Sequence, residues 1–341
     1  VENEFNNMNE KKFNSVDSLI LSQVTNYLYD DLVGNINNIK PPVYFKDLLK
    51  AEYFDKMFQS FIIPKKNKHL LFALAASPRF RDIKINYHVS KSDNNEEKQF
   101  SATTFILNNE YAYLGFRGTD TTVIGWKEDF NMAFVCPIPS QIEGASYVNK
   151  VANLIPHKLF IGGHSKGGNL AMASAMELTD SKFSKIREVC NFDGPGFKKE
   201  EYESNKYKRL NEKLLNIIPT GSVVGTLLYN DNYKVVSSNE IAFEEHYPTS
   251  WKVFGQYFIE GKLSDISRQF HKNASAGLET LDKEKLKKTI ETGFKSFEKE
   301  YSSNFKLNFN DIKKFYTNMK NVDPEIRNYI DVIMDELIRI F

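Results

Sequence analysis

Residues 158–170 read Lys158-Leu159-Phe160-Ile161-Gly162-Gly163-His164-Ser165-Lys166-Gly167-Gly168-Asn169-Leu170. Leu159-Phe160-Ile161 is a short apolar run of the kind a buried parallel strand requires. Residues 169–178 are rich in good helix formers. Between them, Gly163-His164-Ser165-Lys166-Gly167 is a Gly-x-Ser-x-Gly pattern. Five-residue patterns recur by chance, but strand, tight turn and helix in this order are the setting of a nucleophile elbow. In so sharp a turn, the residues two before and two after the serine crowd each other, and glycine relieves the crowding because it has no Cβ. Ser165 then stands at the carboxyl end of the strand. The helix that starts there turns its free N–H groups and the positive end of its dipole toward any negative charge beside the serine.

The segments around this stretch repeat its logic. Residues 102–107 and 111–116 read as a β-hairpin turning at Asn108-Asn109, and the second strand runs into Arg117-Gly118-Thr119-Asp120. A helix is expected near 126–134, then a loop with Pro137 and Pro139, then a helix over 144–154. Beyond the elbow, strands are expected at 186–192, ending in Asp193-Gly194-Pro195-Gly196, at 214–218, ending in Pro219, and at 233–237. His246 falls in the loop after the last of them. Strands alternating with helices predict an α/β fold with a mainly parallel sheet flanked by helices. Residues 1–12 are polar and Asn-rich and read as a loose terminus. Ser15 reads as the cap of a helix carrying Val16, Leu19, Ile20, Val24 and Leu28. Pro41-Pro42 breaks the chain, and helices are expected over 45–58 and 68–76. Residues 93–98 read as a charged loop, and from residue 264 the pattern is helical. There, 283–299 sets Leu286, Ile290, Phe294 and Phe297 on one face, and 326–340 repeats the pattern. The expected division is a helical N-terminal segment (1–78), a core (79–262) and a helical C-terminal extension (263–341).

Among the 341 residues, 45 basic and 44 acidic side chains nearly cancel, so no strong field steers the chain to nucleic acid, and no nucleic-acid partner is expected. Cys136 and Cys190 form neither a disulfide framework nor a CxxC pair, which points to a reducing, cytoplasmic setting. Apolar runs are too short to span a bilayer. Val1 is not an initiator methionine, so a removed leader is compatible with the sequence. Six scattered histidines suggest no metal site, and no cofactor is expected. The 27 phenylalanines and 17 tyrosines suit an aromatic core or a pocket for apolar ligands.

The elbow, together with Phe116-Arg117-Gly118-Thr119 and Trp126-Lys127-Glu128-Asp129, resembles the class 3 (fungal-lipase-like) branch of the α/β-hydrolases. It resembles still more a bacterial subfamily of that branch. The same blocks recur there in order: Ser77-Pro78-Arg79-Phe80-Arg81, Phe116-Arg117-Gly118-Thr119-Asp120, Gly125-Trp126-Lys127-Glu128-Asp129, the elbow, Asp193-Gly194-Pro195-Gly196-Phe197 and Ser222-Val223-Val224-Gly225. The resemblance covers residues 15–260. It implies the α/β-hydrolase fold and a serine hydrolase that cleaves an acyl ester, of a lipid or a short acid, through an acyl-enzyme. Thioester or amide cleavage, or a non-catalytic interaction module on the same fold, are the competing readings, because fold does not fix function. Transient contact with a lipid interface follows from the same resemblance.

A serine hydroxyl is inert until a base takes its proton. In α/β-hydrolases that base is a histidine late in the chain, in the order serine, acid, histidine. His69 and His88 come too early, His157 precedes the elbow strand, and His164 lies in the elbow and points away. Of His246 and His271, His246 lies where the family places its histidine, although Tyr247 follows it where relatives often carry Asp. Class 3 lipases carry their acid after the strand matching 214–218, yet Pro219-Thr220-Gly221-Ser222 has no carboxylate. Asp193 ends the neighbouring strand, about 5 Å away, and can reach the same space. An Asp-Gly turn that caps its own backbone is the bland reading of Asp193. Asp231 as acid, or a Ser–His dyad, are alternatives. One oxyanion donor is the backbone N–H of Lys166. The other, by resemblance, comes from Thr119, whose hydroxyl adds a third bond. Arg117 and Asp129 are expected to form a structural ion pair behind this loop, with Trp126 in the core.

Overall fold

The computed structural model describes the chain except residues 39, 60–63, 121, 281, 299–323, 325–326 and 328–341. Eight strands lie side by side in the order of the sequence: β1 (Val43–Tyr44), β2 (Lys84–Asp93), β3 (Lys98–Ile106), β4 (Tyr111–Phe116), β5 (Lys158–His164), β6 (Ile186–Phe192), β7 (Leu214–Pro219) and β8 (Lys234–Val236). β1 to β4 pair antiparallel, and β4 to β8 pair parallel. The sheet is mainly parallel and flanked by helices, the α/β architecture that the alternating pattern predicts. In β5 every residue after Lys158 is buried. A strand with parallel partners on both sides and helices on both faces has no wet face, which is why it reads as a continuous run and not as an alternation.

The helices are α1 (Ser15–Val24), α2 (Ala51–Met57), α3 (Pro64–Ala76), α4 (Val123–Asn131), α5 (Pro139–Leu154), α6 (Lys166–Met176), α7 (Asp180–Phe183), α8 (Lys199–Tyr202), α9 (Asn205–Asn211), α10 (Asp265–Thr280) and α11 (Lys283–Glu298). Successive side chains of a strand point to opposite faces. On one face Leu114 and Phe116 meet Tyr147, Val148, Leu170 and Met172 of α5 and α6. On the other, Tyr113 and Phe105 meet Leu21, Val24, Phe45 and Leu71 of the N-terminal segment. The phenols that enter these layers keep partners: Tyr113 shares a 2.6 Å hydrogen bond with Ser22, and Tyr147 a 2.7 Å bond with Thr104.

The first helix begins one residue earlier than expected. Asn14, not Ser15, is the cap: its Oδ1 accepts from the backbone N–H of Val16 and Asp17, and the Asp17 carboxylate accepts from Asn14 N in return. Asp17 also binds the buried Arg79, Nε to Oδ1 at 2.8 Å and Nη2 to Oδ2 at 2.5 Å. The same guanidinium donates to the carbonyls of Asn6, Lys11 and Lys12. One buried cation thus ties down the terminal segment that composition alone marks as loose.

One other expectation is corrected, and one strand is added. The single helix over 45–58 is a 3-10 turn (Phe45–Leu48) and then α2, because Leu49 and Lys50 leave helical geometry. β2 was not legible as a strand. A bulge between Asn86 and Val89, with Tyr87 at φ 53°, breaks its alternation, and the charged 93–98 loop is the turn joining it to β3. In the C-terminal part, Leu286, Ile290 and Phe294 of α11 are buried, the last 5.7 Å from the ring of Phe130. Phe270 and Ala274 of α10 pack against Val223. Of the helix expected over 326–340, all but Arg327 lies outside the described residues.

Candidate active site

Ser165 sits between β5 and α6 at φ 58° and ψ −135°, a conformation that costs a non-glycine residue about 1–3 kcal/mol and persists only where its surroundings enforce it. Here they do. Ser165 N donates to the carbonyl of Phe192 at the end of β6, and its own carbonyl accepts from Gly168 N. A Cβ on Gly163 would lie 2.3 Å from the carbonyl carbon of Gly167, and one on Gly167 would lie 2.2 Å from the carbonyl oxygen of Phe116. The turn is wedged between the ends of β4 and β6, and only glycine fits at both flanks.

Phe192 leads directly to Asp193, itself at φ 50°. Its carboxylate is fully buried, and Oδ2 accepts from His246 Nδ1 at 2.6 Å. Oδ1 accepts from the Ser222 hydroxyl and from Gly225 N. Three donors on one buried carboxylate fix its orientation. The bond to Nδ1 puts the imidazole proton on that nitrogen and leaves Nε2 as the basic one. The structure thus joins Asp193 to His246. It joins Asp231 to Tyr202 instead, on an exposed surface, and His271 to the carbonyl of Thr226.

Two further side chains flank the His246 loop. His164 does not merely point away: its Nε2 meets the His246 carbonyl at 2.7 Å, and the two rings lie 4.4 Å apart. Burial, and then the proximity of His246, press its pKa well below the ordinary histidine value. A neutral His164 donates to that carbonyl without setting a second charge against His246. Glu245 supplies the carboxylate that the 219–222 loop lacks, but it accepts from Gly221 N at 2.9 Å and does not hold the imidazole. Burial, with the charge of Asp193 behind it, raises the pKa of Glu245.

On the other side of Ser165 runs the loop after β4. A Cβ on Gly118 would lie 3.6 Å from the Cβ of Ser165, and Gly118 N is held by Asn26 Oδ1 at 3.1 Å. The Thr119 hydroxyl does not stand ready as a third oxyanion donor; it donates to Asp129 Oδ2 at 2.5 Å. The expected Arg117–Asp129 pair is also corrected. Arg117 lies beside Asp120, 3.8 Å away, while Asp129 faces Thr119 and, at 3.7 Å, the ammonium of Lys166. Burial raises the Asp129 pKa to about 6, against the pull of Lys166 and the Thr119 bond. Lys166 opens α6, where a backbone N–H has no partner within the helix. Its side chain runs the other way, to Glu128 Oε2 at 2.9 Å and Gln99 Oε1 at 3.1 Å. Trp126 is half-buried.

Among the described residues no group of three or more His, Cys, Asp or Glu could hold a metal ion, and no helix is long and apolar enough to cross a membrane. The sequence profile of a family described as Mbeg1-like matches residues 74–295. No curated protein matches the chain. Among solved structures it is similar to a fungal lipase in complex with an inhibitor (15% identity, TM-score 0.36, covering 50% of this chain and 68% of that one). It is also similar to M37 lipase (14% identity, TM-score 0.37, covering 63% and 69%).

Proposed function

The chain belongs to the Mbeg1-like family, and from the geometry at its elbow we propose that it is a serine hydrolase cleaving acyl esters through an acyl-enzyme. The observation that carries this reading is a strained serine at a strand-to-helix turn, with a buried Asp193 at the adjacent strand end bonded to His246. In the proposed reaction, His246 Nε2 takes the Ser165 proton as the hydroxyl attacks the acyl carbon, and later gives it to the leaving alcohol. Asp193 keeps the tautomer and stabilises the imidazolium. The backbone N–H groups of Lys166 and Thr119 receive the oxyanion. Water then repeats the cycle on the acyl-enzyme.

For the substrate we favour a lipid or short acyl ester. Support comes from the hairpin that follows the His246 loop, formed by β9 (Val253–Phe254) and β10 (Tyr257–Phe258). Its Phe254 and Tyr257 are 81% and 67% exposed. Its base is anchored to that loop by Trp251, whose indole N–H donates to the Glu245 carbonyl at 2.7 Å. Such an aromatic tip suits a lipid interface. The free thiols of Cys136 and Cys190 support a cytoplasmic setting. Turnover of p-nitrophenyl esters of rising chain length, beside a thioester and an amide, tests the reading. Ester cleavage that disappears in Ser165→Ala is expected. Preference for the thioester or amide would change the substrate class, and equal turnover by Ser165→Ala would remove the mechanism.

A further inference from the structure

We infer that the buried ammonium of Lys166 is a positioning group for acyl transfer, coupling the two sides of the oxyanion hole through one charge. The inference rests on the hydrolase reading above. Lys166 occupies the variable position of the Gly-x-Ser-x-Gly turn, where an apolar side chain would fill the same space without needing a partner. Instead its ammonium is 1% exposed beside a Glu128 that is 0% exposed. Glu128 is fully engaged: Oε2 accepts from Gln99 N at 3.0 Å and the Ser140 hydroxyl at 2.8 Å, and Oε1 accepts from Ser140 N at 3.0 Å. The far end of the Lys166 side chain is therefore anchored to β3 and to the start of α5, which fixes the residue whose backbone N–H is one oxyanion donor. The same ammonium lies 3.7 Å from Asp129 Oδ1, and Asp129 Oδ2 takes the hydroxyl of Thr119, the residue of the other donor. Anchoring both donors to one fixed cation prepares the hole before charge develops in it. The cation also balances Glu128, so that this buried carboxylate does not oppose the growing oxyanion.

Removing one member of a buried pair can unfold a protein, so the test uses Lys166→Met/Glu128→Gln, which removes both charges, with kcat, KM and the pH profile read on a soluble p-nitrophenyl ester. The account expects kcat to fall about tenfold or more with KM held, as when an oxyanion donor is weakened. It also expects the low-pH arm of kcat to move to higher pH. Asp129 faces Lys166, Glu128 and Asp120; Lys166 acts on it more strongly than Glu128, so their joint loss lets the carboxyl hold its proton longer and weakens its hold on the Thr119 hydroxyl. A folded double variant with unchanged kcat and an unmoved arm overturns the inference while leaving the hydrolase intact. A wild-type protein inert on every ester overturns both. Should the double variant not fold, Asp129→Asn, at a residue whose side chain is 32% exposed, reads the same coupling. Lowered kcat with KM held and a changed low-pH arm are expected, and wild-type values for all three overturn the inference.

Discussion

Ser165 stands between two carboxylates, each paired with a nitrogen group, and the pairs differ in what that group can do. Asp193 and His246 meet at 2.6 Å, with the imidazole 10% exposed on a loop outside the sheet. Glu128 and Lys166 meet at 2.9 Å with both side chains sealed, and the lysine belongs to the first turn of a core helix. An imidazole with one free ring nitrogen can take a proton and return it. The Lys166 ammonium keeps its protons: burial alone would lower its pKa, but Glu128 and Asp129 outweigh burial and raise it. The same type of pair thus serves, on this account, to move a proton on one side and to hold a charge still on the other. Substitutions should separate the two, damaging chemistry in the first pair and stability in the second.

The largest effect is expected at the Asp193–His246 pair. His246→Ala should cost kcat on the order of 10⁶, and Asp193→Asn on the order of 10⁴, with the unfolding transition close to wild type. Glu128→Gln should act chiefly on stability, about 3–5 kcal/mol, because it takes the nearest carboxylate from a buried ammonium. Urea unfolding measures this, and an unchanged midpoint would erase the contrast between the pairs. Asp129→Asn sharpens the contrast through pH. Its carboxyl has a folded pKa raised from 3.8 to about 6, so the native state binds the proton more tightly and loses stability as pH rises through that window. Asn escapes the loss: the variant should gain in melting temperature at pH 7 relative to wild type, by an amount moderated by the open third of the side chain, and gain nothing at pH 3. The smallest effect belongs to Asp231→Asn. Asp231 is exposed and bonded to Tyr202, so turnover and stability should stay at wild-type values. A large loss there would move the acid away from Asp193.

Much of this was legible where physics is local. The elbow announces its strand and helix because a sharp turn needs small residues at fixed offsets, and Ile186–Phe192 reads as a strand through its own apolar run. Asp193 could be placed near the base because neighbouring strand ends are close. What stayed hidden depends on long-range contacts or local exceptions. β2 carries a bulge that spoils its period. A lysine reads as a surface residue until Glu128, 38 positions away, is brought to its ammonium. His164 looks like a spacer until the 241–250 loop folds its carbonyl onto the ring. Arg117 and Asp129 are opposite charges near in sequence, yet Thr119 and Lys166 reach Asp129 instead.

The central claim is that Ser165 is a nucleophile activated by the Asp193–His246 pair, and covalent capture tests it most directly. Wild-type protein is exposed to a fluorophosphonate, which reacts with an activated serine hydroxyl, and the adduct is mapped by peptide mass spectrometry. The account predicts one adduct, on Ser165, absent in Ser165→Ala and formed far more slowly in His246→Ala. No adduct on the folded wild-type protein, or an adduct that persists in Ser165→Ala, would contradict it.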